Sequence, residues 1–328
     1  MKPVFVKSAI SVFVCFVVVM FLAGIGYPQD AEVAKFPSRP ITYINPTAAG
    51  NPTSVAIRLI SQEAQKFLGQ PVVELNKPGG GLSIGIGALA SAKPDGYTVG
   101  YAGHTGMFVT PFVEKVSYHP IRDLSPLIQW GGFNFGIGVK GDAPFKTFQD
   151  LINYARQNPK KVTYGTNGAT SMQHIVVEQI ARKEKVELTH IPFSGTAEYQ
   201  SAVLGGHVQF GVGDFTASLL ESGQVRYLLL LKEEHSAEYP KVPILKDLGY
   251  DIPCPMTLNV FAPKGLPAGI SKKLEDAFTQ ATKEPGFING MKKLNIPIVY
   301  HNSKEMEDYM ARNYELYKKF LTEMGLVR

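Results

Sequence analysis

Two short stretches carry the residue types that can hold an anion without a cation. Pro46 to Ser54 reads Pro-Thr-Ala-Ala-Gly-Asn-Pro-Thr-Ser and leads into Val55 to Ile60 at helical spacing. Gly165 to Ser171 reads Gly-Thr-Asn-Gly-Ala-Thr-Ser and precedes Ile175, Val176 and Ile180, again at helical spacing. The first backbone N–H groups of a helix have no partner within it and carry partial positive charge. Hydroxyls beside them add directional donors, so such a loop can clamp a carboxylate or phosphate. The candidate contacts are Thr47, Ala48, Thr53 and Ser54 in one stretch, and Thr166, Asn167, Ala169, Thr170 and Ser171 in the other. For either loop alone, a Ser or Thr before a helix is also explained by ordinary N-capping. The occurrence of two such loops, one in each half of the chain, favours a clamp.

Other chemistry is sparser. His104 and Thr105 follow an apolar run, and His174 lies just beyond the second loop, so either imidazole could donate to a ligand. His174 and Glu178 are four apart and read as a pair on a helix surface. Asp214 could accept from a ligand hydroxyl or amine, or cap the next helix. Gly81-Leu82-Ser83-Ile84-Gly85 matches G-x-S-x-G, but a nucleophile elbow places its serine at a sharp turn directly after a strand. Here Asn76 to Gly81 intervenes. A serine hydrolase using Ser83 is therefore the alternative, and the main reading assigns no catalytic residue. The seven histidines and two cysteines form no metal-ligand spacing, and no cofactor motif is present.

These loops need strands behind them. Ile41–Asn45, Val72–Leu75, Tyr97–Ala102, Val162–Tyr164, Leu188–Ile191, Val208–Val212, Tyr227–Leu231 and Leu258–Ala262 read as strands. Phe133 to Val139, apolar and next to glycines, reads as one buried strand. Helices are expected from Ile84, from Thr147 to Asn158, over 197–204 and over 270–282. A last helix starts at Asn302 with Glu305 as a capping box. Its stripe of Met306, Tyr309, Met310, Tyr314, Tyr317 and Phe320 reads as packing against the first lobe. Alternating strands and helices predict an α/β fold of mostly parallel sheets flanked by helices. Ligands of such sheets sit beyond the carboxyl ends of the strands, where both loops lie.

The bulk composition agrees. The 328 residues are 45% hydrophobic and 19% charged, enough for two domains. The net charge of +5 falls to about +3 without Lys2 and Lys7, and no basic stripe marks a nucleic-acid partner. Residues 1–26 have Lys2 and Lys7, an apolar run from Ala9 to Ile25, and Gly24-Ile25-Gly26 before Tyr27. This predicts a signal peptide and a periplasmic location, with an uncleaved anchor as the alternative. Removal of the leader takes away Cys15 and leaves Cys254 alone, so no internal disulfide is expected.

Eight further segments, in order, carry a resemblance. They are Phe36-Pro37-Ser38-Arg39-Pro40-Ile41, Leu68-Gly69-Gln70-Pro71-Val72-Val73, Asn76-Lys77-Pro78-Gly79-Gly80-Gly81 and Ala92-Lys93-Pro94-Asp95-Gly96-Tyr97-Thr98, followed by Tyr164-Gly165-Thr166-Asn167-Gly168 with His174. His190-Ile191-Pro192-Phe193-Ser194-Gly195, Leu204-Gly205-Gly206-His207-Val208 and Phe261-Ala262-Pro263-Lys264-Gly265-Leu266-Pro267 complete the set. Over residues 36–328 the chain resembles the substrate-binding proteins of tripartite tricarboxylate transporters, the Bug family. The resemblance implies a two-lobed periplasmic-binding-protein-like fold of type II. Lobe one would comprise residues 36–138 and 259–328, and lobe two residues 139–258. It also implies a monomeric receptor that takes a small carboxylate to a permease of one large and one small integral-membrane subunit. A ligand sensor for a membrane signalling protein is a further alternative. The first loop departs from the family's usual P-F-x-P-G-G-x-x-D. Thr47 replaces the aromatic, Asn51 the second glycine, and Ser54 stands where an acid is expected. The departure points away from an amino acid and toward a simpler or more apolar carboxylate.

Overall fold

The computed structural model describes residues 33–254 and 256–328. The expected leader lies outside the described residues. Among those described, no helix is long and apolar enough to cross a membrane.

The first lobe begins with strand β1 (Ile41–Asn45), helix α1 (Pro52–Leu68) and strand β2 (Val72–Asn76). Helix α2 (Ser83–Ala90), strand β3 (Thr98–Gly100), two short helices α3 (His104–Phe108) and α4 (Thr110–Val113), and strand β4 (Leu124–Gly132) follow. The chain then builds a second sheet from β5 (Gly136–Lys140), β6 (Thr163–Thr166), β7 (Thr189–Pro192), β8 (Phe210–Gly213) and β9 (Val225–Leu230). Between them lie helices α5 (Phe148–Gln157), α6 (Met172–Glu184), α7 (Thr196–Leu204) and α8 (Ala217–Glu221). It returns to the first sheet with β10 (Thr257–Pro263) and ends in helices α9 (Ala268–Ala281), α10 (Pro285–Lys293) and α11 (Ser303–Glu323).

The two sheets repeat one plan. Their strand orders are β2-β1-β3-β10-β4 and β7-β6-β8-β5-β9. In the first, β1 runs parallel to β2 and β3, and β10 is antiparallel to both its neighbours. In the second, β6 runs parallel to β7 and β8, and β5 is antiparallel to both its neighbours. Each sheet is therefore parallel except for its fourth strand. That strand is in both cases the one that the chain makes on arriving from the other lobe.

The crossings correct one sequence expectation. Phe133 to Val139 is not a single strand, because β4 ends at Gly132 and β5 starts at Gly136. Phe133 N–H donates to the Met256 carbonyl of the returning crossing at 3.1 Å, and Leu231 N–H, just past β9, donates to the Phe135 carbonyl at 2.7 Å. β4 itself was hidden by Pro126, Gly131 and Gly132, which read as breakers but sit in a strand with register shifts against β10. Helix α10 was also not anticipated.

The cores follow the expected patterning. Trp130, fully buried, packs edge-on against Phe287, with ring centroids 5.8 Å apart. Helix α11 is capped by Asn302 with a reciprocal bond from Glu305, as its sequence predicts. It buries Met306, Met310, Tyr317 and Leu321 on the first lobe, and Tyr317 stacks on Phe108. Burial at about 25 cal/mol per Å² of apolar area is the driving force for this docking.

Candidate ligand-binding site

The strand ends of both sheets open onto one cavity of about 330 Å³. From the first lobe it is lined by Thr47, Asn51, Pro52, Thr53, Gly81, Leu82, Tyr101, His104 and Thr105. From the second it is lined by Asn167, Gly168, Thr170, Ser171, Gln173, Thr196 and Asp214. The crossing adds Phe133 and Phe135.

On the first-lobe side, the Asn51 side chain caps α1 by accepting from Ser54 N–H at 2.8 Å. The Asn45 carboxamide oxygen accepts from Thr47 N–H at 3.0 Å and from the Thr47 hydroxyl at 2.9 Å, which folds the loop back over β1. Ser54 does not line the cavity. It is fully buried and donates to Glu74 Oε1 at 2.7 Å, which removes it from the candidate contacts. Glu74 also accepts from Asn45 Nδ2 at 2.7 Å, Asn76 Nδ2 at 3.3 Å and Arg58 Nη1 at 3.2 Å. A carboxylate thus stands beneath this loop after all, on the neighbouring strand, and it is consumed by structural donors. Ala48 lies off the lining too.

On the second-lobe side, Ser171 caps α6 by accepting from His174 N–H at 3.3 Å, while its own hydroxyl donates to Thr166 Oγ1 at 3.1 Å. Thr166 is buried, bonded to the Gly168 carbonyl at 2.9 Å and to His190 Nε2 at 2.8 Å. It shapes the loop and does not face the cavity, and Ala169 lies off the lining as well. The expected ligand role of His174 also falls away, as does its reading as half of a surface pair with Glu178. His174 Nδ1 bonds Tyr164 Oη at 2.8 Å, and the same phenol donates to Glu178 Oε1 at 3.0 Å. The carboxylate can only accept, so Tyr164 spends its proton there and His174 Nδ1 carries the proton it donates. The His174 and His190 rings stack 3.9 Å apart, and burial holds both imidazoles below their ordinary pKa, His190 at about 4.

His104 does line the cavity, edge-on to Phe133 and Phe135. Burial pushes its pKa down to about 4, so it is neutral at pH 7, and its Nδ1 has no hydrogen-bond partner among the described residues. Thr105 Oγ1 accepts from Met172 N–H at 3.4 Å, joining α3 to the first residue of α6 across the cleft. Asp214 accepts from Tyr199 Oη at Oδ1, 3.3 Å away, and burial raises its carboxyl above the usual range. Among the described residues, no Lys or Arg lines the cavity. Any anion held here is held by N–H groups, hydroxyls and amides. Ser83 lies off the lining and makes no hydrogen bond to a histidine or carboxylate among the described residues, so it has no elbow geometry.

Asn51, Pro52 and Gly168 lie within the two expected loops without having been singled out, and sequence reasoning missed Gly81, Leu82, Tyr101, Phe133, Phe135, Gln173 and Thr196. Tyr101 and Thr196 follow strands β3 and β7, so the strand-end rule applied uniformly would have found them. Phe133 and Phe135 gave no signal, because an apolar run next to glycines looks like an interior strand.

Residues 56–326 match the description "Tripartite tricarboxylate transporter family receptor". The chain belongs to this family. A relative from Cupriavidus necator, "UPF0065 protein in gbd 5'region", is 36% identical over 303 residues, covering 92% of each chain. Among solved structures, "Structure of a periplasmic transporter" superposes with a TM-score of 0.79 at 26% identity, covering 89% of this chain and 99% of that one. "Structure of periplasmic binding protein BugD" gives a TM-score of 0.76 at 25% identity, with the same coverage. The Tripartite tricarboxylate receptor family consists of solute-binding receptors, and this chain is a receptor of the two-lobed α/β kind and not an enzyme.

Proposed function

We propose that this receptor works in the periplasm, reached through cleavage of residues 1–26. There it captures a small carboxylate between its lobes and delivers it, as a monomer, to a membrane permease of one large and one small subunit. One observation carries the ligand assignment. The N-termini of two long helices, α1 and α6, present hydroxyl-bearing loops to the same cavity from opposite lobes. A carboxylate between them accepts from Thr53, Asn167 and Thr170, whose donors have no other partner among the described residues, and bonds to a charged acceptor are roughly twice as strong as neutral ones. Closure about the crossing residues then seals the cleft.

Calorimetric titration with mono-, di- and tricarboxylates tests the ligand class. Thr170→Ala is expected to weaken binding by about 1–3 kcal/mol, and unchanged affinity would remove the loop from the site. Uptake of a labelled ligand by cells lacking this chain, with and without the chain restored, tests delivery. Uptake that does not depend on it would refute the transport role.

A further inference from the structure

The geometry points to a ligand with a single carboxylate and a flat apolar body of about one ring, selected by the Phe133–Phe135 floor and by Asp214. This inference rests on the carboxylate-receptor reading and narrows it. The floor of the cavity is aromatic. Phe133 and Phe135 lie 4.8 Å apart with their rings tilted by 31°, and the His104 ring meets both edge-on at 6.4 and 5.9 Å. Tyr101 and Leu82 extend this apolar wall on the first-lobe side. Phe133 and Phe135 are both buried at the crossing, 6% and 4% exposed, and both line the cavity.

The polar groups are distributed to match. Donors without negative charge collect at the two helix starts, whereas Asp214 is the one acidic side chain of the lining among the described residues. A second carboxylate on the ligand would have no cation to meet and would share the cavity with Asp214. A ring meets Phe133 and Phe135 at no such cost and gains the offset or edge-on contacts that aromatic pairs favour. A volume of about 330 Å³ lies at the small end of the range for ligand pockets, which suits one ring and its carboxylate. Selectivity therefore comes from an attractive floor and a repulsive acid acting together.

The test is titration of the whole mature chain with benzoate, cyclohexanecarboxylate, acetate, malate, adipate and citrate. Benzoate is expected to bind roughly tenfold or more tightly than acetate, malate, adipate or citrate. In Phe135→Leu, which keeps an apolar side chain in the crossing, benzoate is expected to lose about tenfold while acetate changes little. In Asp214→Asn, adipate is expected to gain about tenfold relative to benzoate. Tighter binding of malate, adipate or citrate than of benzoate by the wild-type chain overturns the inference and leaves the receptor reading standing. So does an Asp214→Asn variant with no gain for adipate. Binding of none of the six overturns both.

Discussion

Glu74 offers the sharpest stability test, because its side chain is only 6% exposed and four groups donate to it. Replacement by Ala removes the acceptor and leaves the donors. Asn45 and Ser54 are both fully buried, and each donor left unpaired costs about 1–3 kcal/mol. Arg58 is half exposed at 51%, so water replaces its partner and its share is at most about 1 kcal/mol. The expected loss for Glu74→Ala is therefore about 3–5 kcal/mol. Glu74→Gln keeps one carbonyl oxygen for Asn45 and Ser54 and forfeits chiefly the Arg58 contact, for about 1 kcal/mol. The loss should also reach the ligand loop, since Asn45 is the side chain that holds Thr47. Urea denaturation of wild type and both variants measures the stability difference, and titration with the best-bound carboxylate measures the effect on the loop. Glu74→Ala within 0.5 kcal/mol of wild type (about the ordinary surface range), or Glu74→Gln as damaging as Glu74→Ala, would refute this account of the network.

Ser171→Ala removes a helix cap and a cavity hydroxyl together. It should cost about 1 kcal/mol in denaturation and also weaken carboxylate binding, whereas Ser171→Asn should recover the stability and not the affinity. His104 makes stability pH-dependent. Its folded pKa of about 4 lies below the ordinary imidazole value of 6.5, so between those values the unfolded chain binds more protons and stability falls as pH is lowered through that window. The full loss, below pH 4, is about 3 kcal/mol; His104→Gln should flatten this part of the stability–pH curve, and an unchanged slope would show that His104 does not cause it. At Gly85 an added Cβ would lie 2.7 Å from Pro46 Cα and 2.9 Å from the Lys77 carbonyl oxygen. Gly85→Ala is thus expected to cost about 1–3 kcal/mol and to displace the Pro46 loop, read as a lower Tm with weaker carboxylate binding; a Tm within 1 °C of wild type (less than about 0.5 kcal/mol) would contradict it.

Much of the fold was legible because period and punctuation agreed. Asn302 with Glu305 and Thr147 before Phe148 mark helix starts by local hydrogen bonding, and the structure has both of them. β4 was not legible, since a strand inside a mixed sheet tolerates Pro126 and a glycine pair that local rules read as a break. At the site, residue type located the two loops and could not orient their side chains. Ser54 and Ser171 carry the same hydroxyl at comparable helix starts. One turns inward because Glu74 lies on the adjacent strand, 20 residues away in the chain. The other lines the cavity. Only tertiary neighbours decide between these outcomes. Gly85 shows the same effect for a motif: it completes G-x-S-x-G for the sake of backbone approach to Pro46, not to free a nucleophile.

The paired crossings give the molecule an unusual division of labour. Each reversed strand is paired on both sides within its sheet, so the closure proposed above would turn at Phe133–Asn134–Phe135 and the returning segment bonded to it. The two rings in that joint are also the cavity floor. In that closure, whatever fills the cavity would rest on the joint about which the lobes turn, and its shape would set the angle at which they come to rest. Two ligands of equal affinity but different thickness would leave the lobe surfaces at different angles, and a partner that reads those surfaces could tell them apart.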